Sequence, residues 1–166
     1  MSLVNKEKSN LNWHVLYVRA KQEFKIEDHI NNSDFDIEAF CPSRIETRIW
    51  SDRKKKVSVP ILPSIILIKT QESLRDKVFS IPGTIRYLFW LGKPAIVKET
   101  EIEQLRFVSQ HKDIVSHEVE VLKPGKTINL KPFGFSDANG IIEKVSNNVC
   151  WIILETLGFT IKVTLK

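Results

Sequence analysis

Long hydrophobic runs are missing from this 166-residue sequence. No apolar stretch approaches the roughly 20 residues that a membrane-spanning helix needs, so we expect no membrane segment. Residues 1–11 are polar and charged and lack the apolar core of a secretion signal, so we expect a flexible tail there. The location that these two features favour is the cytoplasm.

Cysteine is scarce, and the motifs of common enzymes do not occur. The two cysteines, Cys41 and Cys150, lie far apart and have no CxxC spacing, so we expect two reduced, buried side chains. The four histidines do not cluster with cysteines or carboxylates, and there is no glycine-rich phosphate loop, nucleophile elbow or zinc-binding spacing. We therefore expect no metal, no cofactor and no enzymatic activity.

Positive charge is concentrated in one short segment. The formal net charge of the chain is +5, while residues 44–56 hold six cations against Glu46 and Asp52, a local balance of +4. Such a concentration attracts a polyanion, although cations on a strand edge also serve simply to prevent aggregation. From the charge alone the second role is the more usual one, so binding of nucleic acid stays open at this point.

Residues 12–110 alternate between strand and helix patterns, which predicts an α+β domain. Alternation around Ser51-Asp52-Arg53 predicts a β-hairpin whose basic side chains point largely to one face. The apolar run 61–68 predicts a strand covered on both faces. The expected strands are 13–18, 37–40, 44–50, 55–59, 61–68 and 85–91, and the expected helices are 20–30, 70–79 and one beginning at a Thr100–Glu103 capping box.

The pattern changes after residue 110. Residues 111–119 are polar and show no apolar period, which predicts a linker. Residues 120–166 contain only short strand patterns and turns, which predicts a small closed β-barrel. Its five expected strands are 121–122, 127–130, 140–145, 149–155 and 159–165.

Eight short motifs follow one another along the chain: Trp50-Ser-Asp-Arg53, Val59-Pro60, Leu62-Pro63, Ile81-Pro-Gly83, Gly92-Lys-Pro94, Lys123-Pro-Gly125, Pro132-Phe133 and Gly140-Ile-Ile142. Together they resemble those of the NusG-type transcription elongation factors. The likeness covers nearly the whole chain after residue 12, and the block from Trp50 to Pro63 is its most specific part. It implies an antiparallel sheet with flanking helices over 12–110 and an SH3-like KOW barrel over 120–166.

The resemblance also implies a function. It implies a monomeric elongation or antitermination factor that binds the clamp helices of the RNA polymerase β′ subunit and contacts upstream or non-template DNA. The expected DNA contacts are the cations of the hairpin and the tryptophan among them: Arg44, Arg48, Trp50, Arg53, Lys54, Lys55 and Lys56. The KOW domain would bind Rho or a small-subunit ribosomal protein, with Phe133 and Phe135 as the expected contacts. The expected polymerase contacts line an apolar depression: Ile65, Leu67 and Tyr87, with Trp90 at its rim.

The basic hairpin and an altered KOW loop resemble specialised members of that family, the RfaH-like and capsule-operon antiterminators that serve particular operons. An alternative is an RNA- or ribosome-binding KOW module with no polymerase role. Residues 120–166 carry six lysines against four acids, a small positive balance for such a module. The aliphatic side chains of Ile65 and Leu67 could equally be core, and Phe133 and Phe135 could pack inside the barrel.

Overall fold

A computed structural model describes residues 10–110, 114–121, 149–154 and 159–165. The chain forms two compact units. The first comprises the described residues of Met1–Phe40 and Ser64–Ile96, and the second those of Cys41–Pro63 and Val97–Lys166. Within the described ranges, no helix has the length and apolar character needed to cross a membrane. The basic hairpin belongs to the second unit.

The elements follow one another from an initial strand to a final pair of strands. The helices are α1 (Glu23–Asn31), a 3-10 helix (Glu72–Ser80) and α2 (Glu99–Gln110). The strands are β1 (Asn12–Val18), β2 (Glu38–Phe40), β3 (Ser43–Ile49), β4 (Lys54–Pro60), β5 (Ile65–Thr70), β6 (Thr84–Tyr87), β7 (Phe89–Trp90), β8 (Lys93–Pro94), β9 (Ile96–Val97), β10 (Ile114–Val121), β11 (Val149–Leu154) and β12 (Phe159–Leu165).

The first unit is built on an antiparallel sheet. Its strand order is β2-β5-β1-β6, with β9 also paired to β1. The longest pairing joins β1 to β5, from Asn12 opposite Thr70 to Tyr17 opposite Ile65. Residues 65–68 of β5 are all buried, so side chains on both faces of this strand belong to the core. This confirms that the apolar run contains a strand covered on both sides, although the strand begins at Ile65 and not at residue 61.

Two helices of the first unit differ from their predicted form. Helix α1 begins at Glu23 and not at residue 20, because Lys21 adopts a left-handed conformation with φ of 66° that interrupts any helix. The segment predicted as an α-helix over 70–79 is a 3-10 helix. Thr70 does not cap it, since Thr70 is the last residue of β5 and its hydroxyl donates to the carbonyl of Gln71.

The second unit contains the β3–β4 hairpin, helix α2 and a three-stranded sheet of order β10-β12-β11. Helix α2 begins at Glu99, so the predicted capping box lies inside it. The carboxylate of Glu101 instead accepts a hydrogen bond from the backbone N–H of Lys98 at 3.1 Å. The Ser109 hydroxyl accepts one from the backbone N–H of Ser43 at 3.1 Å, which ties the end of α2 to the start of β3.

Strand β10 occupies most of the segment 111–119, for which we expected no regular structure. Val115, Val119 and Val121 alternate with polar residues, a period of two that is typical of a strand, and β10 pairs with β12 along its length.

Strands β11 and β12 confirm two of the predicted C-terminal strands. The rest of the predicted barrel lies largely outside the described residues, as do Phe133 and Phe135, so the barrel and the domain bounds stay predictions.

Glu23 ties helix α1 to the turn that precedes β5. Its side chain is buried, and Oε1 accepts a hydrogen bond from the backbone N–H of Ser64 at 2.8 Å. Ser64 has a φ of 63°, a left-handed conformation that costs a non-glycine residue roughly 1–2 kcal/mol. The carboxylate therefore helps to offset the conformational cost of the turn that leads into the central strand.

We expect Glu23→Ala to lower the free energy of unfolding by about 1–3 kcal/mol, because it leaves the Ser64 N–H without its acceptor. Urea unfolding monitored by tryptophan fluorescence measures this change. Lys25→Ala is the matched control, since Lys25 is exposed on the same helix and its removal should change stability by less than about 0.5 kcal/mol. Equal destabilisation of the two variants would contradict the role given to Glu23.

Candidate interaction surfaces

A tight turn closes the basic hairpin. The backbone N–H of Trp50 donates to the carbonyl of Arg53 at 2.8 Å, and the N–H of Arg53 donates to the carbonyl of Trp50 at 3.3 Å. Ser51 and Asp52 form the two-residue loop between them. The strands pair from Ser43 opposite Pro60 to the tip, which confirms the predicted hairpin; the first arm is shifted by one residue and the second is one residue longer at each end. Trp50 stands exposed beside the turn.

The cations of the hairpin are divided between its two faces. Arg48 lies opposite Lys55, so these two side chains share a face with Arg44, which lies an even number of positions along the strand. Lys54 lies opposite Ile49 and Lys56 opposite Thr47, which places both lysines on the other face. The prediction that the basic side chains point largely to one face is therefore wrong for Lys54 and Lys56.

The face that carries Lys54 and Lys56 is also apolar. Ile45 and Ile49 project from it and are exposed to solvent. Five of the predicted nucleic-acid contacts are exposed cations near the tip, and they are Arg48, Arg53, Lys54, Lys55 and Lys56. With Trp50, they make a surface that combines phosphate-binding charge with an aromatic ring able to stack on a base.

Arg44, the remaining predicted contact, is engaged inside the protein. Its side chain is only 10% exposed. The Nε–H donates to Nδ1 of His117 on β10 at 2.6 Å, and Nη2 lies 3.2 Å from Oε2 of Glu46. Glu46 also reaches Nε of Arg48 at 3.5 Å through its second oxygen. Arg44 is thus not positioned to contact nucleic acid in this conformation, unlike the cations nearer the tip.

His117 is kept neutral by its surroundings. Burial lowers the pKa of His117 below its usual value, and the neighbouring Arg44 guanidinium lowers it further. A backbone hydrogen bond with Ile61 and the Glu46 carboxylate raise the same pKa, but they do not outweigh the first two causes. Neutral imidazole is the form that can accept the hydrogen bond from Arg44.

Three of the four expected polymerase contacts are buried and do not all share a face. Ile65, Leu67 and Tyr87 are 4%, 0% and 2% exposed. Leu67 pairs with Val15 of β1, whereas Tyr87 pairs with Leu16, the next residue, which points to the opposite side of the sheet. Ile65 is two positions from Leu67 and shares its face. The prediction of an open depression lined by these three side chains is therefore wrong.

Tyr87 is a core residue whose hydroxyl is hydrogen-bonded inside the protein. Its O–H donates to the carbonyl of Arg75 at 2.7 Å. Its ring makes edge contacts with Phe79 and His14, with centroids 5.6 Å and 5.9 Å away. Burial raises the pKa of Tyr87, so the hydroxyl remains a protonated donor. These contacts make Tyr87 part of the packing that supports β6.

We expect Tyr87→Ala to destabilise the protein by about 3–5 kcal/mol, as removal of a buried aromatic ring does elsewhere. Tyr87→Phe is the control, because it keeps the ring and removes only the hydrogen bond to Arg75, at about 0.5–1.5 kcal/mol. Thermal unfolding followed by circular dichroism compares the two variants. An alanine variant as stable as the wild type would contradict the assignment of Tyr87 to the core.

Trp90, the fourth expected polymerase contact, is exposed at the tip of a second hairpin. Strands β7 and β8 pair with Phe89 opposite Pro94 and Trp90 opposite Lys93. Leu91 and Gly92 form the turn, with φ of 49° and 76°. Trp90 is 73% exposed and Leu91 is 88% exposed. The sequence predicted one strand over 85–91 closed by a turn at Gly92-Lys93-Pro94; the turn instead begins at Leu91, where Leu-Gly replaces the Asn-Gly that usually marks it.

The surroundings of this tip are basic. The segment from Pro82 to Ile96 contains two cations and no acidic residue. Arg86, one of them, places its guanidinium 4.7 Å from the ring centroid of Tyr17. Phe89, Ile85 and Ile96 add further exposed apolar surface to the same segment. A partner that presents apolar side chains together with carboxylates would complement it.

Metal and small-molecule sites are not evident in the described part of the chain. The described residues hold no group of three or more histidine, cysteine or acidic side chains that is arranged to bind a metal ion. An open cavity of about 430 Å³ in the first unit is lined mainly by polar residues, including Asp36, Glu38 and Lys69. Opposite charges line it together, and we assign no ligand to it.

The chain matches a known protein family. A family model described as "Transcription termination factor nusG" matches residues 11–106, which is more than half of the chain. No curated protein matches this chain. The chain is also similar to a solved structure from Thermotoga maritima, described as "Domain interaction in Thermotoga maritima NusG", with 16% identity over 93% of each chain and a TM-score of 0.44. On the family match, the chain belongs to the NusG family of transcription factors.

Proposed function

We propose that this NusG-family protein is an elongation or antitermination factor that binds the clamp helices of the RNA polymerase β′ subunit. Its basic hairpin contacts upstream or non-template DNA. Family membership supports a transcription factor of the NusG kind, and such factors generally bind RNA polymerase. The observation that carries the finer proposal is that each compact unit exposes a tryptophan beside cations at a hairpin tip, Trp90 in one and Trp50 in the other.

The polymerase contact in this proposal is a projection and not a depression. Paired helices present ridges and grooves of apolar side chains flanked by charged ones. Trp90 and Leu91 protrude into solvent and match such a groove, while the cations of the surrounding segment match carboxylates beside it. Exposed tryptophans that become buried on binding are frequent hot spots of affinity. The strained φ of Leu91 is consistent with a turn retained for recognition.

The DNA contact rests on charge and on one aromatic ring. Exposed cations surround the turn, and Asp52 is the only acid between Trp50 and Lys56. Phosphate binding by such side chains is independent of sequence and sensitive to salt. Trp50 adds a stacking surface for an unpaired base, of the kind found near an open transcription bubble. The hairpin would thus restrain DNA while the Trp90 tip holds the polymerase.

We also propose that the protein acts at particular operons. It is supported by the resemblance of the long basic hairpin to those of the specialised antiterminators. The proposal also includes Rho or a small-subunit ribosomal protein as a partner of the KOW segment, through Phe133 and Phe135. Both phenylalanines lie outside the described residues, so only the sequence resemblance supports that contact.

The two tryptophans should have separable functions. We expect Trp90→Ala to weaken binding of the full chain to core RNA polymerase at least tenfold, or about 1.4 kcal/mol, because it removes the largest exposed anchor. We expect Trp50→Ala to leave that affinity unchanged and to weaken binding to forked DNA by about 1–3 kcal/mol, because the stacking surface is removed. Fluorescence anisotropy titrations with labelled polymerase and labelled DNA measure the two affinities.

Each tryptophan variant is the control for the other, since both remove an exposed indole from a hairpin tip. Unchanged polymerase affinity in Trp90→Ala would contradict the assigned surface. If both variants bind polymerase normally while RNA binding persists, the alternative of an RNA-binding module without a polymerase role is favoured.

Neutralising the four consecutive cations Arg53, Lys54, Lys55 and Lys56 to glutamine should flatten the salt dependence of DNA binding. Removing one phosphate contact lowers the slope of log K against log salt by about 0.7–0.9. Antitermination in a run-off transcription assay should fall, while polymerase affinity should hold. The control Lys25→Gln removes an exposed charge on α1 and should leave the slope unchanged. Complete abolition of polymerase binding in the hairpin variant would show that the two roles are wrongly assigned.

A further inference from the structure

One cation of the basic hairpin differs from the rest in being held by a titratable group. Arg44 shares a hairpin face with Arg48 and Lys55, but its side chain is directed to His117 and Glu46 and is only 10% exposed. The 2.6 Å hydrogen bond from Arg44 Nε to His117 Nδ1 links the base of the hairpin to β10, in the C-terminal part of the chain. The position of Arg44 in the hairpin suits phosphate binding, and its present hydrogen bonds prevent it.

The hydrogen bond between Arg44 and His117 requires a neutral imidazole. When His117 takes up a proton from solvent at Nδ1, both ring nitrogens become donors, and an imidazolium faces a guanidinium. Neither cation can then accept a hydrogen bond from the other, and their charges repel. Glu46, on β3, is the acid that faces both groups. Its single negative charge can balance only one of the two positive charges that Arg44 and protonated His117 then carry. Lys162 and Glu118 occupy the next register position of the β10–β12 pair, on the other face of that sheet.

We propose that Arg44 is a phosphate contact held in reserve by His117, and that protonation of His117 releases it to join Arg48 and Lys55 on the same face. Such a release would regulate the hairpin, and it rests on the hairpin's proposed role in DNA binding. Linkage makes the relation reciprocal: DNA that binds the released Arg44 favours protonated His117. The base of the hairpin is thereby coupled to β10.

The direction of the pH effect follows from the geometry. The pKa of His117 lies below its usual value of 6.5, because the folded protein favours the neutral ring. The hydrogen bond is therefore fully formed above about pH 6.5 and breaks as the pH falls through the lowered pKa. DNA should raise the pKa of His117, since it competes with the ring for Arg44.

The test compares the full chain with Arg44→Gln and His117→Gln. NMR titration of the histidine rings between about pH 8 and 5 identifies the pH at which His117 is protonated. Salt slopes for a fluorescein-labelled forked DNA are then measured above and below that pH. Lowering the pH should steepen the wild-type slope by about 0.7–0.9 more than that of Arg44→Gln, which corresponds to one phosphate. His117→Gln keeps an acceptor for Arg44 but cannot be protonated, so its pH response should equal that of Arg44→Gln.

Each outcome supports or overturns the release of Arg44. An equal pH response in wild type and Arg44→Gln, with DNA bound in both, would overturn the reserve role and leave the hairpin's DNA role intact. A His117 that stays neutral over the whole range, or whose pKa does not rise when DNA is added, would overturn it as well. Absence of DNA binding at every pH would refute the proposed DNA role together with this release. Tryptophan emission checks that each variant stays folded at the lower pH.

Discussion

The pairing of β1 with β5 is the constraint on which the first unit depends. Six consecutive residue pairs place two apolar strands side by side in the middle of the sheet, and both faces of β5 are buried. The strand is entered through a left-handed Ser64 whose N–H is bonded to the buried Glu23. The middle of the sheet is covered, and the most exposed large apolar side chains of the first unit, Trp90 and Leu91, lie at the turn that joins β7 to β8.

This arrangement explains why the recognisable surfaces of the described protein are hairpin tips. A two-residue turn projects its neighbours into solvent while the paired strands behind it fix their direction. Trp50 is presented with a cluster of cations by one such turn, and Trp90 with Leu91 by another. Arg44 differs from the exposed cations of the same hairpin because it lies at the base and not at the tip, where the packed interior begins and its side chain is buried.

Much of the fold could be predicted from the sequence, because apolar periods and turn residues mark most strands. The positions of individual side chains could not. The pairing register decides which face of a sheet a side chain occupies. It places Tyr87 on the opposite face from Leu67, and it places the lysines of the hairpin on both of its faces. Local sequence also hid β10, whose apolar alternation is interrupted by His117. It marked the turn after Trp90 one residue late, because leucine is unusual in the left-handed conformation that Leu91 adopts. The partner of Arg44 is 73 residues away in sequence, beyond the reach of any local pattern.

We propose that a protruding tip, and not a depression in the sheet, engages the polymerase. The four tryptophans of the chain allow a direct test by NMR of their indole N–H signals on addition of a clamp-helix coiled coil. We expect the Trp90 signal to shift and broaden while the signal of the buried Trp13 on β1 stays in place. A large shift at Trp13 with an unchanged Trp90 would show that the polymerase opens the sheet instead, and would contradict binding through the tip.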